Sequence, residues 1–290
     1  MSKVFLVTGS SRGLGREIVL AALAAGHRVA ATARRPEQLT DLVERYGDRV
    51  LPIALDVADA EAAARAVQAA VEAFGRLDVV VNNAGYANLA SVEDITAADF
   101  RAQLDTNLLG VVNVSKAALP VLRAQGSGHI IQVSSVGGRT ATPGLSAYQA
   151  AKWAVGGFSE VLAQEVAPLG IKVTVLEPGG MRTDWAGSSM AVPPISPPYQ
   201  HTVGALVAMF GSADLQPAGD PAKVAQVVLR VADLSEPPVR LLLGSDAVRY
   251  AALAAQTRAA EDAQWRDLSV STDHNQATAA DIDPLGEVRR

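Results

Sequence analysis

The 290-residue chain has no cysteine, so disulfides, thiolate metal sites and nucleophilic cysteine chemistry are excluded. Aromatic side chains supply only 4% of the residues while 49% are apolar, with alanine abundant, a balance that suits close helix-on-sheet packing rather than a disordered or fibrous chain. There is no block of lysine or arginine, and the formal net charge is −5; neither nucleic acid nor an anionic membrane is expected as a main partner. No apolar run approaches the ~18 residues that a membrane span requires. The opening stretch MSKVFLVTGSSRGLG breaks at glycines too early for a secretory signal. A cytoplasmic protein is the expectation, long enough to bury a sizeable core in one large domain or two small ones.

What is present is an alternation. Almost wholly apolar, β-rich runs at Val4–Thr8, Val29–Ala33, Val50–Leu55, Asp78–Asn82, Gly128–Ser134, Ile171–Leu176 and Val239–Leu243 predict strands. Between them, Arg16–Ala25, Pro36–Tyr46, Asp59–Phe74, Ala97–Arg123, Ser146–Leu169 and Lys223–Leu234 predict helices. Apolar strands separated by helical segments indicate an α/β fold, a doubly wound parallel sheet covered on both faces. No linker or repeat interrupts it, so a single domain is expected over 1–265. Within it, Asp184–Asp220 departs from the rhythm: Pro, Gly and Ser are mixed with Trp185, Met190, Tyr199, His201, Met209 and Phe210, which suits a substrate lid. Residues 266–290 read as a polar, loosely ordered tail.

TGSSRGLG (Thr8–Gly15) lies between the first strand and the first helix, with glycines at Gly9, Gly13 and Gly15. Glycine permits a tight turn and close approach of backbone to a phosphate, and a helix N-terminus offers unpaired N–H groups to an anion. The spacing TGxxxGxG at this place predicts a dinucleotide. Further along, SAYQAAKWAV places Tyr148 one helical turn before Lys152, so phenol and ammonium share a face. A free tyrosine, with pKa ≈ 10, is too weak an acid to exchange protons well near neutrality. A cation at ~4 Å favours the phenolate by about 4 kcal/mol at an effective dielectric near 20, or roughly three pKa units.

These stretches together resemble the short-chain dehydrogenase/reductase family. After the glycine turn come LDV (Leu55–Val57), NNAG (Asn82–Gly85), DTNLLG (Asp105–Gly110), VSS (Val133–Ser135), Tyr148 with Lys152, and PGGMRT (Pro178–Thr183), all in the family's order. The resemblance covers roughly Val4 to Thr183 and thins beyond. It implies a Rossmann fold and hydride transfer between a nicotinamide and a ketone, aldehyde or alcohol. Tyr148 would then be the catalytic acid/base, with Lys152 lowering its pKa. Ser134 and Ser135 face opposite ways from a strand end, so only one can hold the substrate oxygen. The spacing to Tyr148 seen in the family matches Ser135. Asn107 would complete a proton path to the lysine.

The resemblance also implies a cofactor cradle. Gly9, Ser11, Arg12, Gly13, Leu14 and Gly15 would form its phosphate end, and Asp56 and Val57 would meet the adenine. Asn83, Ala84 and Gly85 would line the adenosine ribose side, Pro178, Gly179, Met181 and Thr183 the nicotinamide end, and Tyr148 and Lys152 would touch it as well. Charge bears on which nicotinamide: the position where an acid would take the ribose hydroxyls of NAD is Ala33, followed by Arg34 and Arg35, with Arg12 nearby. Guanidinium suits a 2′-phosphate through its paired donors, so NADP(H) is expected ahead of NAD(H).

Tyr86–Ser91, Val136–Ala147 and the stretch from Asp184 should wall a site for a small-molecule carbonyl or alcohol. Nothing marks a charged substrate: Arg139 and Arg182 could bind one, but surface arginines need no such reason. Relatives commonly form dimers or tetramers, and a homodimer or homotetramer through Ala97–Arg123 and Ser146–Leu169 is the expectation. Two rival readings remain open: a non-catalytic NADP(H)-binding sensor or scaffold, and an epimerase or dehydratase of the extended fold.

Overall fold

The computed structural model describes residues 2–183, 190–212 and 216–283. Seven strands make one parallel sheet: β1 (Val4–Val7), β2 (Arg28–Ala33), β3 (Val50–Ala54), β4 (Val79–Asn82), β6 (Gly128–Val133), β7 (Ile171–Pro178) and β9 (Arg240–Leu243). Their order is β3-β2-β1-β4-β6-β7-β9, so the chain winds outward first one way and then the other from β1. The switch falls between β1 and β4, where open sheets of this kind leave a crevice at their carboxyl ends.

Period-two alternation divides the strand residues between two cores. Phe5 and Val7 face one way, against Ile18 and Val19 of α1 (Gly13–Ala24) and Val224 and Val228 of α8 (Pro221–Asp233). Val4 and Leu6 face the other way, against α3 (Ala60–Phe74), α5 (Gly110–Gln125) and α6 (Ser146–Val166). Both sets are fully buried, as expected for a sheet covered on two faces. Helix starts are capped where the sequence allows: the Asp59 carboxylate accepts from the Glu61 and Ala62 N–H groups, and Asp220 does the same for α8. The expected second helix begins as a 3₁₀ turn at Pro36–Leu39 and becomes α2 (Thr40–Tyr46).

The expected uniform helix over Ala97–Arg123 differs in one respect. It is α4 (Ala97–Leu104), a π turn at Asp105–Leu109, and then α5. A π turn inserts one extra residue and re-aims the side chains it carries; here it carries Asn107. A second, two-stranded parallel sheet pairs β5 (Ala87–Asn88) with β8 (Met190–Ala191), and α7 (Ala205–Phe210) follows β8 after two short turns.

The sequence reading did not anticipate α9 (Ser245–Gln264), whose alanine-rich, largely exposed surface carries little apolar periodicity. Residues 1–250 form one compact unit and 251–290 a second. The described part of the second is helical and mostly exposed: the rest of α9, then α10 (Arg266–Val270) and α11 (Ala279–Ile282) within the polar tail, α11 being closed by a capping box at Thr278 and Asp281. Among the described residues no helix is long and apolar enough to cross a membrane.

Candidate active site

The glycine turn is stitched to the end of β4 by short-range hydrogen bonds. The Thr8 hydroxyl accepts from the backbone N–H groups of Asn83 (2.9 Å) and Ala84 (3.0 Å), and the Asn83 amide donates to the Thr8 carbonyl at 2.9 Å. Gly9 has φ +68°, and a Cβ there would lie 2.9 Å from the Ala84 Cα. At Gly15 a Cβ would collide with the Gly9 carbonyl oxygen and the Asn83 amide. No side chain caps α1; an uncapped helix start is where an anion can accept from backbone N–H groups.

Arg12, Arg34 and Arg35 are exposed around this turn, and Ala33 ends β2 without a carboxylate. Asp56 is exposed and accepts from the Ala58 N–H at 3.0 Å. Leu14 and Val57 are buried in the two cores, so they meet a ligand in this cradle through backbone rather than side chain. Asn82 does not face the crevice: its amide donates to Gln132 and Ser115 inside the sheet.

At the far side, the turn after β7 is held by a residue that sequence reasoning missed. The Gly180 N–H donates to the Asp246 carboxylate at 2.8 Å, and a Cβ on Gly179 would collide with that carboxylate. Pro178 is the last residue of β7, Met181 bridges to Gly219, and Thr183 stands across from Gly13, whose absent Cβ would lie 3.8 Å away. Gly9 to Gly15, Asn83 to Gly85 and Pro178 to Thr183 thus border one crevice.

Tyr148 and Lys152 lie on α6 and are nearly inaccessible, at 8% and 4% exposure. The Lys152 ammonium sits 5.7 Å from the Tyr148 ring centroid and donates to the Val133 carbonyl at 2.9 Å. Strand alternation separates the two serines after β6. Ser134 donates to the Lys152 carbonyl oxygen at 3.2 Å, while Ser135 hydrogen-bonds the Tyr148 phenol. Asn107, fully buried, uses both ends of its amide on the backbone of Tyr86: it accepts from the N–H at 3.1 Å and donates to the carbonyl at 2.9 Å. Gly85 runs between them, with room for no side chain: a Cβ would lie 2.6 Å from Asn107 Oδ1 and 3.6 Å from Lys152 Nζ.

The acid–base state corrects one expectation. Lys152 does not bring Tyr148 below its ordinary value in this arrangement. Burial of the phenol dominates and pushes it up to about 12, with the Ser135 hydrogen bond pulling the other way. Burial also lowers Lys152 to about 8. The phenol is therefore protonated across the physiological range, and the ammonium is still mostly charged at neutrality.

The three expected walls meet beside Tyr148. Ala87, Leu89 and Leu145 form a cluster with the Tyr148 ring, and Met190, Leu206, Val207 and Phe210 pack on it. Gly144, with φ +83°, sits where they join: a Cβ there would be 2.9 Å from both Leu89 and Val203. The segment after β8 is fastened to the first wall. Leu89 N–H donates to the Ala191 carbonyl at 2.9 Å, Ser196 N–H to Asp94 at 3.1 Å, and the Tyr199 hydroxyl to Glu93 at 2.7 Å. His201 and Met209 face solvent, and Trp185 lies outside the described residues. Gln149, next to Tyr148, braces the second wall by accepting from the Thr142 N–H at 2.8 Å and donating to its hydroxyl.

Neither candidate receptor for an anion is idle. Arg139 pairs with Glu177 at 2.6 Å, and Arg182 donates to the Pro217 carbonyl at 2.9 Å. Glu177 is completely buried on β7 and also pairs with Arg240 at 2.6 Å, which in turn reaches Glu160 on α6. A carboxylate at the end of the strand run IKVTVLEP, directly after Val175 and Leu176, was the signal in the sequence that could have exposed this cluster.

Known proteins bear on this geometry. The profile of the short chain dehydrogenase family matches residues 3–192. A curated relative, oxidoreductase BOA17 of Botryotinia fuckeliana, is 60% identical over 273 residues, 94% of this chain and 100% of the relative. Among solved structures, a short-chain dehydrogenase from Streptomyces avermitilis matches with a TM-score of 0.88 at 41% identity, covering 94% of this chain and 100% of the other. An alcohol dehydrogenase from the archaeon Thermococcus sibiricus, complexed with 5-hydroxy-NADP, matches with a TM-score of 0.68 at 27% identity, covering 84% and 96%. The chain belongs to the short-chain dehydrogenase family, and with it to the oxidoreductases.

Proposed function

We propose that this member of the short-chain dehydrogenase family interconverts a ketone or aldehyde and an alcohol, with NADP(H) as its preferred cofactor. The observation that carries the reading is the convergence of Tyr148, Ser135 and Lys152 at the carboxyl edge of the sheet, beside Asn107 and facing the uncapped start of α1. When bound, the nicotinamide supplies or accepts the hydride.

Everything else falls to the chain. The Ser135 and Tyr148 hydroxyls converge, so a single carbonyl oxygen reaches both. Ser135 steadies the charge that develops there, and Tyr148, kept protonated by burial, gives its proton to the resulting alkoxide. A phenol near pKa 12 remains a far stronger acid than an alcohol, so it serves well as donor in the direction of reduction. Lys152, whose ammonium lies 5.7 Å from the Tyr148 ring centroid, opposes the charge left on the phenolate. Asn107 holds the Gly85–Tyr86 backbone in the place that leaves the lysine room.

Three exposed guanidinium groups at Arg12, Arg34 and Arg35, with no acid at Ala33, support NADP(H) over NAD(H). The NADP-type ligand in the Thermococcus relative agrees with this preference. Apolar side chains exposed along the π turn and α6, Leu109 at 46% and Val161 at 56%, support a homo-oligomer joined through those helices. Light scattering at micromolar concentration checks that assembly.

The test of the reaction is cofactor oxidation by purified protein on a panel of ketones and aldehydes, with NADPH and NADH in parallel. Turnover should be faster with NADPH and should fall by about 100- to 10,000-fold in Tyr148→Phe, with NADPH binding retained. Equal rates in the variant would refute the role of the phenol.

A further inference from the structure

We propose that Glu177 is a positioning residue for the reaction: through Arg139 and Arg240 it holds the turn that begins at Ser135 against the helix that carries Tyr148. This rests on the carbonyl reading above and adds to it a residue that acts through others. Glu177 is fully buried, on the face of β7 that also bears Ile171 and Val173 and that α6 covers. Arg240 donates to one of its carboxylate oxygens through Nε at 3.0 Å and Nη2 at 2.6 Å. The Arg139 guanidinium lies 2.6 Å from the other oxygen.

Each guanidinium belongs to a different side of the Ser135–Tyr148 pair. Arg139 closes the 3₁₀ turn Val136–Gly138, its N–H donating to the Val136 carbonyl at 2.8 Å. Ser135 opens the same turn, its hydroxyl accepting from the Gly137 N–H at 3.0 Å. The turn rests on α6, since a Cβ at Gly138 would lie 2.8 Å from the Lys152 carbonyl oxygen. Arg240 crosses α6 one helical turn beyond Lys152, where a Cβ at Gly156 would lie 2.6 Å from its guanidinium. It also donates to Glu160 of that helix at 2.9 Å. Glu177 therefore joins the two elements whose hydroxyls, those of Ser135 and Tyr148, meet at the reacting oxygen. A buried ion cluster adds little stability over apolar packing of the same volume, because its charges lose their water. What it supplies here is direction: the carboxylate sets how far the Ser135 turn stands from α6.

Glu177→Gln keeps the volume and removes the charge. With NADPH and a ketone that the native protein reduces, kcat should fall about 10- to 100-fold while the NADPH Kd changes by less than about twofold. In a Ser135→Ala background the same substitution should lower kcat by no more than about twofold further, because the hydroxyl it positions is gone. A general weakening of the fold would lower both backgrounds alike, so equal losses in the two, or no loss in the native one, overturn the proposal. Arg139→Met leaves Glu177 paired with Arg240 and carries the same comparison if Glu177→Gln does not fold, with a loss of about 10-fold expected in the native background alone. Hydrogen exchange reads the placement without turnover. Either variant should speed exchange over residues 135–140, where the Gly138 and Arg139 N–H groups are bonded within the turn, and leave β1 and β4 unchanged. If the native protein reduces no carbonyl, the proposed reaction fails and exchange alone decides: a rise confined to 135–140 upholds the anchoring by Glu177, and no rise, or a rise throughout, overturns it.

Discussion

On one side of Tyr148 the chain offers a ligand its backbone; on the other it offers side chains. The expected cofactor side is made of turns at Gly9–Gly15, Asn83–Gly85 and Pro178–Gly180, locked by Thr8, Asn83 and Asp246, with no room for a Cβ at Gly9, Gly15, Gly85 or Gly179. The proposed substrate side is a cluster of leucines, Met190 and Phe210 contributed by three segments far apart in sequence. Backbone turns recognise what every dinucleotide shares, namely phosphate and ribose, and tolerate almost no substitution. An apolar cluster recognises only volume and absence of charge, so its members exchange easily and carry whatever distinguishes one relative from another.

That contrast is open to attack with paired glycine variants. Gly15→Ala forces a methyl group onto the Gly9 carbonyl, and should weaken NADPH binding by about 10- to 100-fold. Gly144→Ala meets Leu89 and Val203 at a positive φ, and should raise the substrate KM by about 10-fold while leaving the cofactor Kd alone. Fluorescence titration of NADPH and initial rates on the same preparations separate the two. If both variants lose cofactor and substrate affinity alike, the halves are not independent.

The pH profile examines the seam between them. Lys152 has its pKa lowered by burial from 10.5 to about 8, so its charge is present below that pH and lost above it. Reduction should decline as pH rises through about 8, by about tenfold per further unit, while the phenol stays protonated. A rate that holds level to pH 10 would place the controlling charge elsewhere.

Ala33→Asp sharpens the cofactor side alone. It restores an acid at the end of β2, and the NADPH-to-NADH ratio of kcat/KM should drop about tenfold with substrate selectivity unchanged. The smallest effect is expected for Tyr199→Phe, which removes the bond to Glu93 at the rim. A rise in substrate KM of about two- to threefold is expected, because such exposed contacts contribute little. No change at all would show that the β5–β8 pairing holds the covering segment by itself.

The unequal legibility of the two sides has the same origin. Gly9, Gly13 and Gly15, the apolar strands, and Tyr148 one turn before Lys152 are local patterns, and the turn, the strands and the shared helix they predict are found where expected. Long-range partners carry no such pattern. Asp246 looks like any helix-starting acid until it is found under Gly180, some sixty residues away in sequence. Arg139 looked available for an anion until β7 brought Glu177 to it. The π turn at Asn107 leaves no trace in a pattern that otherwise suits an α-helix, because its extra residue is accommodated by packing against α6 and the Tyr86 backbone.

From its sequence alone this protein has a parallel α/β sheet, a glycine turn between its first strand and first helix, and a phenol and an ammonium on one helical face. Those properties follow from backbone stereochemistry and from periods of two and 3.6 residues, which operate over a few neighbours. Tertiary structure decided the protonation of Tyr148, because desolvation depends on everything that surrounds the ring. It also decided which serine faces the phenol, since β6 had to be placed against α6 before Ser134 and Ser135 took different partners. It decided, too, that Arg139 is paired, through a carboxylate that a neighbouring strand buries beneath it.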